Sequence, residues 1–212
     1  MSPVRPIVGA AAGMPRRRGA HGRRDQSLDG VEVKVPTPAD LVAAFSAHGY
    51  PVPVGLHVVA LRNVKGGNIS FDDMILVVDG SSAVKHAARC TTDPGKVHRE
   101  KPMNAAGCAV WAVGQVVDAM KFGKHHGDYA CLVPAKPIPV LRYDSLTDTT
   151  GTPSTASTTN IHRASESHES SVVGAWSAGC IVYANPTDFG QAMDFARASK
   201  QTRFTVTLLE WS

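Results

Sequence analysis

The chain has 212 residues, 43% of them hydrophobic and 19% charged, a balance able to fill one sizeable core. No apolar run approaches membrane-spanning length, and four cysteines without a CxxC pair exclude both a zinc ribbon and a small disulfide scaffold. The net charge of +4 is concentrated at one end. Residues 1–26 hold six arginines against one aspartate, which leaves the remaining 186 residues at roughly −1. Any attraction to polyanions therefore belongs to that end and not to the body.

In chain order, residues 1–26 combine Gly, Ala, Pro and Arg without a period and read as a flexible basic arm. Its apolar part between Pro6 and Met14 is short, broken by Gly and followed by Arg16-Arg17-Arg18, which does not suit a standard secretory signal. Beside the flexible-arm reading stand two alternatives, ordering against partner proteins in an assembly and, more weakly supported, nucleic-acid contact through the arginines. A single domain is expected over 27–212. "TPADLVAAFSAHG" predicts a helix: Thr37 can cap it, Pro38 suits its first position, Asp40 favours its positive end and Gly49 can close it. "LHVVALRN" and "DMILVVDG" predict strands joined across Gly66-Gly67-Asn68, and "SSAVKHAARC" reads as a further strand, with helix as the alternative that its alanines leave open. Shorter strands are expected in "GCAVWAVG", "YACLVPA" and "IPVLRYD", followed by a long surface loop in "SLTDTTGTPSTASTT". "GCIVYA" reads as a strand, Asn185-Pro186 as the start of a second helix running to about Lys200, and "RFTVTLLE" as a last strand. The expected fold class is mostly β or α+β with two helices.

Chemistry is concentrated near the C-terminal end. Ile161-His162 and Gly179-Cys180 are 18 residues apart, each at an edge between loop and strand. A thiol with a free pKa of about 8.5 attacks poorly at neutral pH unless an imidazole takes its proton. Strands lying side by side would bring His162 and Cys180 across a cleft. Glycine before the cysteine allows close approach of a substrate carbonyl and lets the turn aim N–H groups at an oxyanion.

"NIHRA" followed by "VGAWSAGCIV" resembles the signature of the L,D-transpeptidase family, a β-rich fold whose cysteine attacks the peptide stem of peptidoglycan through a thioester. More narrowly, "FDD", "TTDPG", "KPMNAAG", "GKHHGDYACLV" and "IHRA…WSAGC" resemble uncharacterised cysteine proteins of phages and prophages. The resemblance implies Cys180 as nucleophile, His162 as base, the N–H groups of Gly179 and Cys180 as oxyanion donors, and Ser177 as the serine that orders the loop. It implies a stem-peptide hydrolase or transpeptidase, acting from a virion or in the host envelope, with no cofactor and with virion proteins as the partners that would order the arm. Three positions depart from the family pattern: Ala178 stands where the family carries histidine, Val182 where it often carries arginine, and Arg163 where a small residue usually follows the histidine. Those departures suit the alternative, a virion structural or wall-binding protein holding an inactive version of the fold.

Other candidates have two readings each. Arg163 can bind a stem-peptide carboxylate through both nitrogens. Trp176 can stack on sugar or anchor a buried loop. His125 can line the cleft or simply end a strand. A zinc site from His125, His162 and Cys180 is chemically conceivable but lacks compact ligand spacing, so no metal is expected. Asp72 and Asp73 are adjacent and point to opposite faces of a strand, which argues against an acid–base dyad. Asp93 reads first as turn chemistry before Pro94-Gly95, and its place in the resembling motif gives it a second reading as a residue that orders the site. Cys90, Cys108 and Cys131 read as core residues.

Overall fold

The computed structural model describes residues 26–28, 31–67, 69–81 and 83–211. The basic arm lies outside them except for Gln26, which opens the first strand. Strands β1 (Gln26–Leu28) and β2 (Val31–Val33) form an antiparallel pair that the sequence reading did not foresee. Helix α1 (Pro38–Ala47) follows. Thr37 Oγ1 accepts from the Asp40 N–H at 3.2 Å and the Asp40 carboxylate accepts from the Thr37 N–H at 2.8 Å, a reciprocal cap. Gly49 lies just beyond the helix with φ +68°.

Next come β3 (Leu56–Asn63), β4 (Asp73–Asp79) and β5 (Ala83–Thr91), an antiparallel series. Both faces of β3 and β4 are covered, which explains their continuous apolar runs. Val58, Ala60, Ile75 and Val77 join one core. Val59, Leu61, Met74, Leu76 and Val78 join a second, beneath Leu41 and Phe45 of α1. A short helix α2 (Lys96–Glu100) stands beyond the two expected ones, so the described residues hold three.

Strands β6 (Cys108–Trp111), β7 (Gly114–His125), β8 (Tyr129–Pro134) and β9 (Ile138–Tyr143) occupy the middle of the chain. β7 is the longest strand among the described residues and was not separately foreseen. Its exposed residues, Val117, Asp118, Lys121 and Lys124 among them, break the apolar signal. The Ser/Thr-rich stretch expected as loop contains β10 (Thr152–Ala156), which pairs with β9 through five residues. Four of its five side chains are exposed, so backbone pairing holds it and composition gave no hint.

The chain ends with β11 (Ile161–Arg163), β12 (Ile181–Tyr183), helix α3 (Pro186–Ala198) and β13 (Phe204–Trp211). Asn185 caps α3 by accepting the Thr187 N–H at 2.8 Å. Eight strands close a barrel in the order β11-β12-β5-β4-β3-β13-β7-β8, and β10-β9-β6 form a separate three-stranded sheet. Phe189, Ala192, Met193 and Ala196 repeat at helical spacing and bury α3 in the core shared with β3, β4 and β13. The protein is a β-rich fold with helices packed on a large mixed sheet. Among the described residues no helix is long and apolar enough to cross a membrane.

Candidate active site

β11 and β12 are parallel neighbours, with Ile161 opposite Ile181 and His162 opposite Val182. Alternation along the strands sends Ile161 and Ile181 into the main core, so His162, Val182 and Cys180 share the other face. The long connection between the strands is tied down at several points. Ala164 N–H donates to Tyr183 O at 3.0 Å, Ser170 N–H to Ala184 O at 3.0 Å and Val173 N–H to Ile69 O at 2.8 Å. Cys180 sits just before β12, where its sulfur accepts the Asn160 N–H at 3.3 Å.

His162 is only 2% exposed. Its Nδ1 lies 2.7 Å from the Arg163 carbonyl, which accepts only, so Nδ1 carries the proton. The Tyr129 hydroxyl donates to the same carbonyl at 3.2 Å and lies 3.3 Å from Nδ1. That leaves Nε2 as the unprotonated nitrogen, and it is buried without a hydrogen-bond partner among the described residues. Burial, helped by the neighbouring His125 ring, lowers the pKa of His162 to about 3. Burial also raises the Cys180 thiol to about 11, which the Asn160 N–H only partly offsets. No hydrogen bond joins the sulfur to the His162 ring among the described residues. The resting pair is thus a neutral thiol and a neutral imidazole on one face of adjacent strands.

The turn before Cys180 is built by two residues that the sequence singled out. Ser177 is fully buried, and its hydroxyl donates to Cys180 O at 2.8 Å while accepting the Gly179 N–H at 3.3 Å. The Gly179 N–H is therefore engaged inside the turn, which corrects its expected place as an oxyanion donor. The Cys180 N–H enters no hydrogen bond among the described residues and is the backbone donor left for that purpose. Gly179 itself is required by geometry. Its φ is +128°, and a Cβ there would lie 2.6 Å from Ala109 O. Ala178, where the family pattern has histidine, is half-buried and turns its carbonyl toward Cys108 Sγ at 3.8 Å.

The remaining candidates divide. His125, at the end of β7, stacks on His162 with ring centres 3.9 Å apart and planes 24° apart. Its Nδ1 lies 3.1 Å from the Asn160 amide nitrogen, so Asn160 holds the sulfur with its backbone and His125 with its side chain. The hairpin after His125 turns through His126 and Gly127, both at positive φ. Stacked imidazoles direct their ring nitrogens side by side and not toward one centre, and no metal-holding group of three His, Cys, Asp or Glu occurs among the described residues. Arg163 lies over the Tyr129 ring at 4.3 Å and reaches Glu166 at 3.8 Å, so it braces the histidine's own strand. Trp176 is 45% exposed, which rules out the buried-anchor reading.

Cys90, Cys108 and Cys131 are buried and free. Asp72 accepts the Gly67 N–H of the preceding turn, and Asp73 is buried, so the two carboxylates do separate jobs. Sequence reasoning passed over Tyr129 and Asn160. The available signal was the hairpin around Gly127, which sets Tyr129 opposite His125, and the place of Asn160 two residues before His162 on the same face. Comparison with known proteins finds no matching family model, no matching curated protein and no matching solved structure.

Proposed function

We propose that the protein is a cysteine acyl-transfer enzyme acting on peptidoglycan stem peptides, a hydrolase or L,D-transpeptidase-like enzyme of a phage virion or of the host envelope after delivery. The observation that carries the chemistry is the unpartnered His162 Nε2 on the face shared with Cys180, its tautomer set by the Arg163 carbonyl. A buried acceptor without a donor costs about 1–3 kcal/mol, and a thiol proton is the donor that would satisfy it. In the proposed step the Cys180 proton passes to Nε2 as sulfur bonds to the substrate carbonyl carbon, and the carbonyl electron pair moves onto oxygen near the Cys180 N–H. Collapse expels the amine, which takes the proton from Nε2 and leaves a thioester for water or a second amine. The peptidoglycan substrate and the phage setting rest on the sequence resemblance alone.

The test is release or rearrangement of muropeptides by the purified protein, lost in Cys180→Ala and in His162→Ala with the fold retained. Unchanged turnover in Cys180→Ala would end this reading. One observation favours the second reading, a wall-binding or virion structural protein: the thiol is raised and not lowered by its surroundings. That reading expects binding to isolated walls, unaltered in Cys180→Ala, and no turnover in any form.

A further inference from the structure

Two motifs, Phe71-Asp72-Asp73 and Thr91-Thr92-Asp93-Pro94-Gly95, take no part in the chemistry above, yet they meet in space. Asp73 is 2% exposed at the start of β4, with both oxygens engaged. Oδ1 accepts the Asn63 N–H at 2.8 Å, while Oδ2 accepts the Thr92 N–H at 2.6 Å and the Thr92 hydroxyl at 2.7 Å. The same hydroxyl accepts from Arg62 Nε at 2.8 Å, and Arg62 continues to Thr92 O and to Trp111 O. Thr92 is thus held from both sides, by Asp73 and by Arg62.

The loop after Thr92 leads to the nucleophile. Gly95 N–H donates to Ser177 O at 2.9 Å, and a Cβ on Gly95 would collide with the Gly174 carbonyl. The two loops therefore touch backbone to backbone. Ser177 in turn holds both ends of the Gly179-Cys180 turn. We propose that Asp73 is a positioning residue for Cys180, acting through Thr92, Gly95 and Ser177 to fix the turn that carries the thiol. The inference rests on the functional reading of Cys180 but concerns the turn itself.

The choice of a carboxylate supports this role. One acceptor must take two donors from the same threonine and one from Asn63, and an amide or a hydroxyl lacks the lone pairs to do so. The ionised form is kept despite its surroundings: burial first, and Asp93 second, raise the carboxyl to about 6. Asp72 from the same turn, Cys90 opposite on β5, Asp93, Arg62 and Arg89 are the other titratable and charged groups around it.

The experiment compares full-length wild type, Asp73→Asn, Thr92→Val and Thr92→Ser by amide exchange and by turnover. Thr92→Val keeps the shape and the backbone N–H bond but removes the hydroxyl that joins Asp73 to Arg62. It should speed exchange at the Gly95 and Gly179 amides by about tenfold or more, with β3 and β4 amides changed by less than about threefold. Thr92→Ser should return both amides to within about threefold of wild type. Asp73→Asn should lower kcat by about tenfold or more while KM stays within about twofold. Unchanged exchange at Gly95 and Gly179, acceleration spread evenly over the sheet, or an unchanged kcat each overturns the relay. If no form turns over stem peptides, wild type included, the reading of the site fails and the exchange data alone decide the relay.

Discussion

The protonation states of the site make a direct prediction for the reactivity of Cys180. Burial places the thiol at about 11 and the His162 imidazole at about 3. Moving the proton from sulfur to ring in the resting protein then costs about 11 kcal/mol. Before the attraction between the two resulting charges is counted, that cost favours the neutral pair at rest, with about one thiol in ten thousand ionised at pH 7. The assay is the rate of alkylation by iodoacetamide, assigned to Cys180 by peptide mapping, between about pH 5 and 10. Cys90, Cys108 and Cys131 are buried and give a slow background. The rate should rise by about a factor of ten per pH unit with no plateau below pH ~9. His162→Ala should leave this profile within about threefold, because the ring bears no charge at rest, yet it should abolish turnover. An inflection below about pH 7.5 that disappears in His162→Ala would refute the reasoning and restore an ion pair.

Two further predictions follow from geometry and from linkage. Gly179→Ala meets both a positive φ and the Ala109 carbonyl, so it should lose about 3 kcal/mol or more in urea unfolding. Gly49→Ala, at positive φ with open space around it, should lose only about 1 kcal/mol, and equal losses would refute the role given to Ala109 O. The Asp73 carboxyl sits near 6 in the fold against 3.8 in a free chain, so the native state binds its proton more tightly than the unfolded one does. Its stabilising contribution is complete below about pH 4 and is lost as pH rises through about 6. Between pH ~7 and ~4, wild type should therefore gain up to about 3 kcal/mol relative to Asp73→Asn in paired urea titrations. Parallel curves would remove Asp73 as the titrating group.

What the sequence revealed was whatever local chemistry decides. Thr37, Pro38 and Asp40 determine the start of α1 without help from the rest of the chain, and Asn185-Pro186 does the same for α3. β3 and β4 were legible because both faces are buried, which leaves apolar runs too long for a turn. β10 was not legible, since its side chains face solvent and only its backbone, paired with β9, makes it a strand. Composition cannot report backbone pairing across a loop when four of the five side chains of the strand stay in solvent.

The candidate site divides along the same line. Cys180, His162 and Gly179 stand out because their residue types are unusual at the edge of an apolar strand, and each keeps that meaning in isolation. Asn160, Tyr129 and Asp73 have ordinary residue types whose roles exist only once β8, β11 and β5 lie in place. Tyr129 matters because the β7–β8 hairpin delivers its hydroxyl to the Arg163 carbonyl. Asp73 matters because β4 runs beside β5 and so reaches Thr92, which follows the end of β5. The adjacency of Asp72 and Asp73 invited a reading as a catalytic pair, which strand alternation argued against. The fold separates them, giving one to a turn and the other to the support of the loop that holds Cys180. A site can therefore be announced by its reactive atoms, while the groups that hold those atoms in place become visible only through the sheet that brings them together.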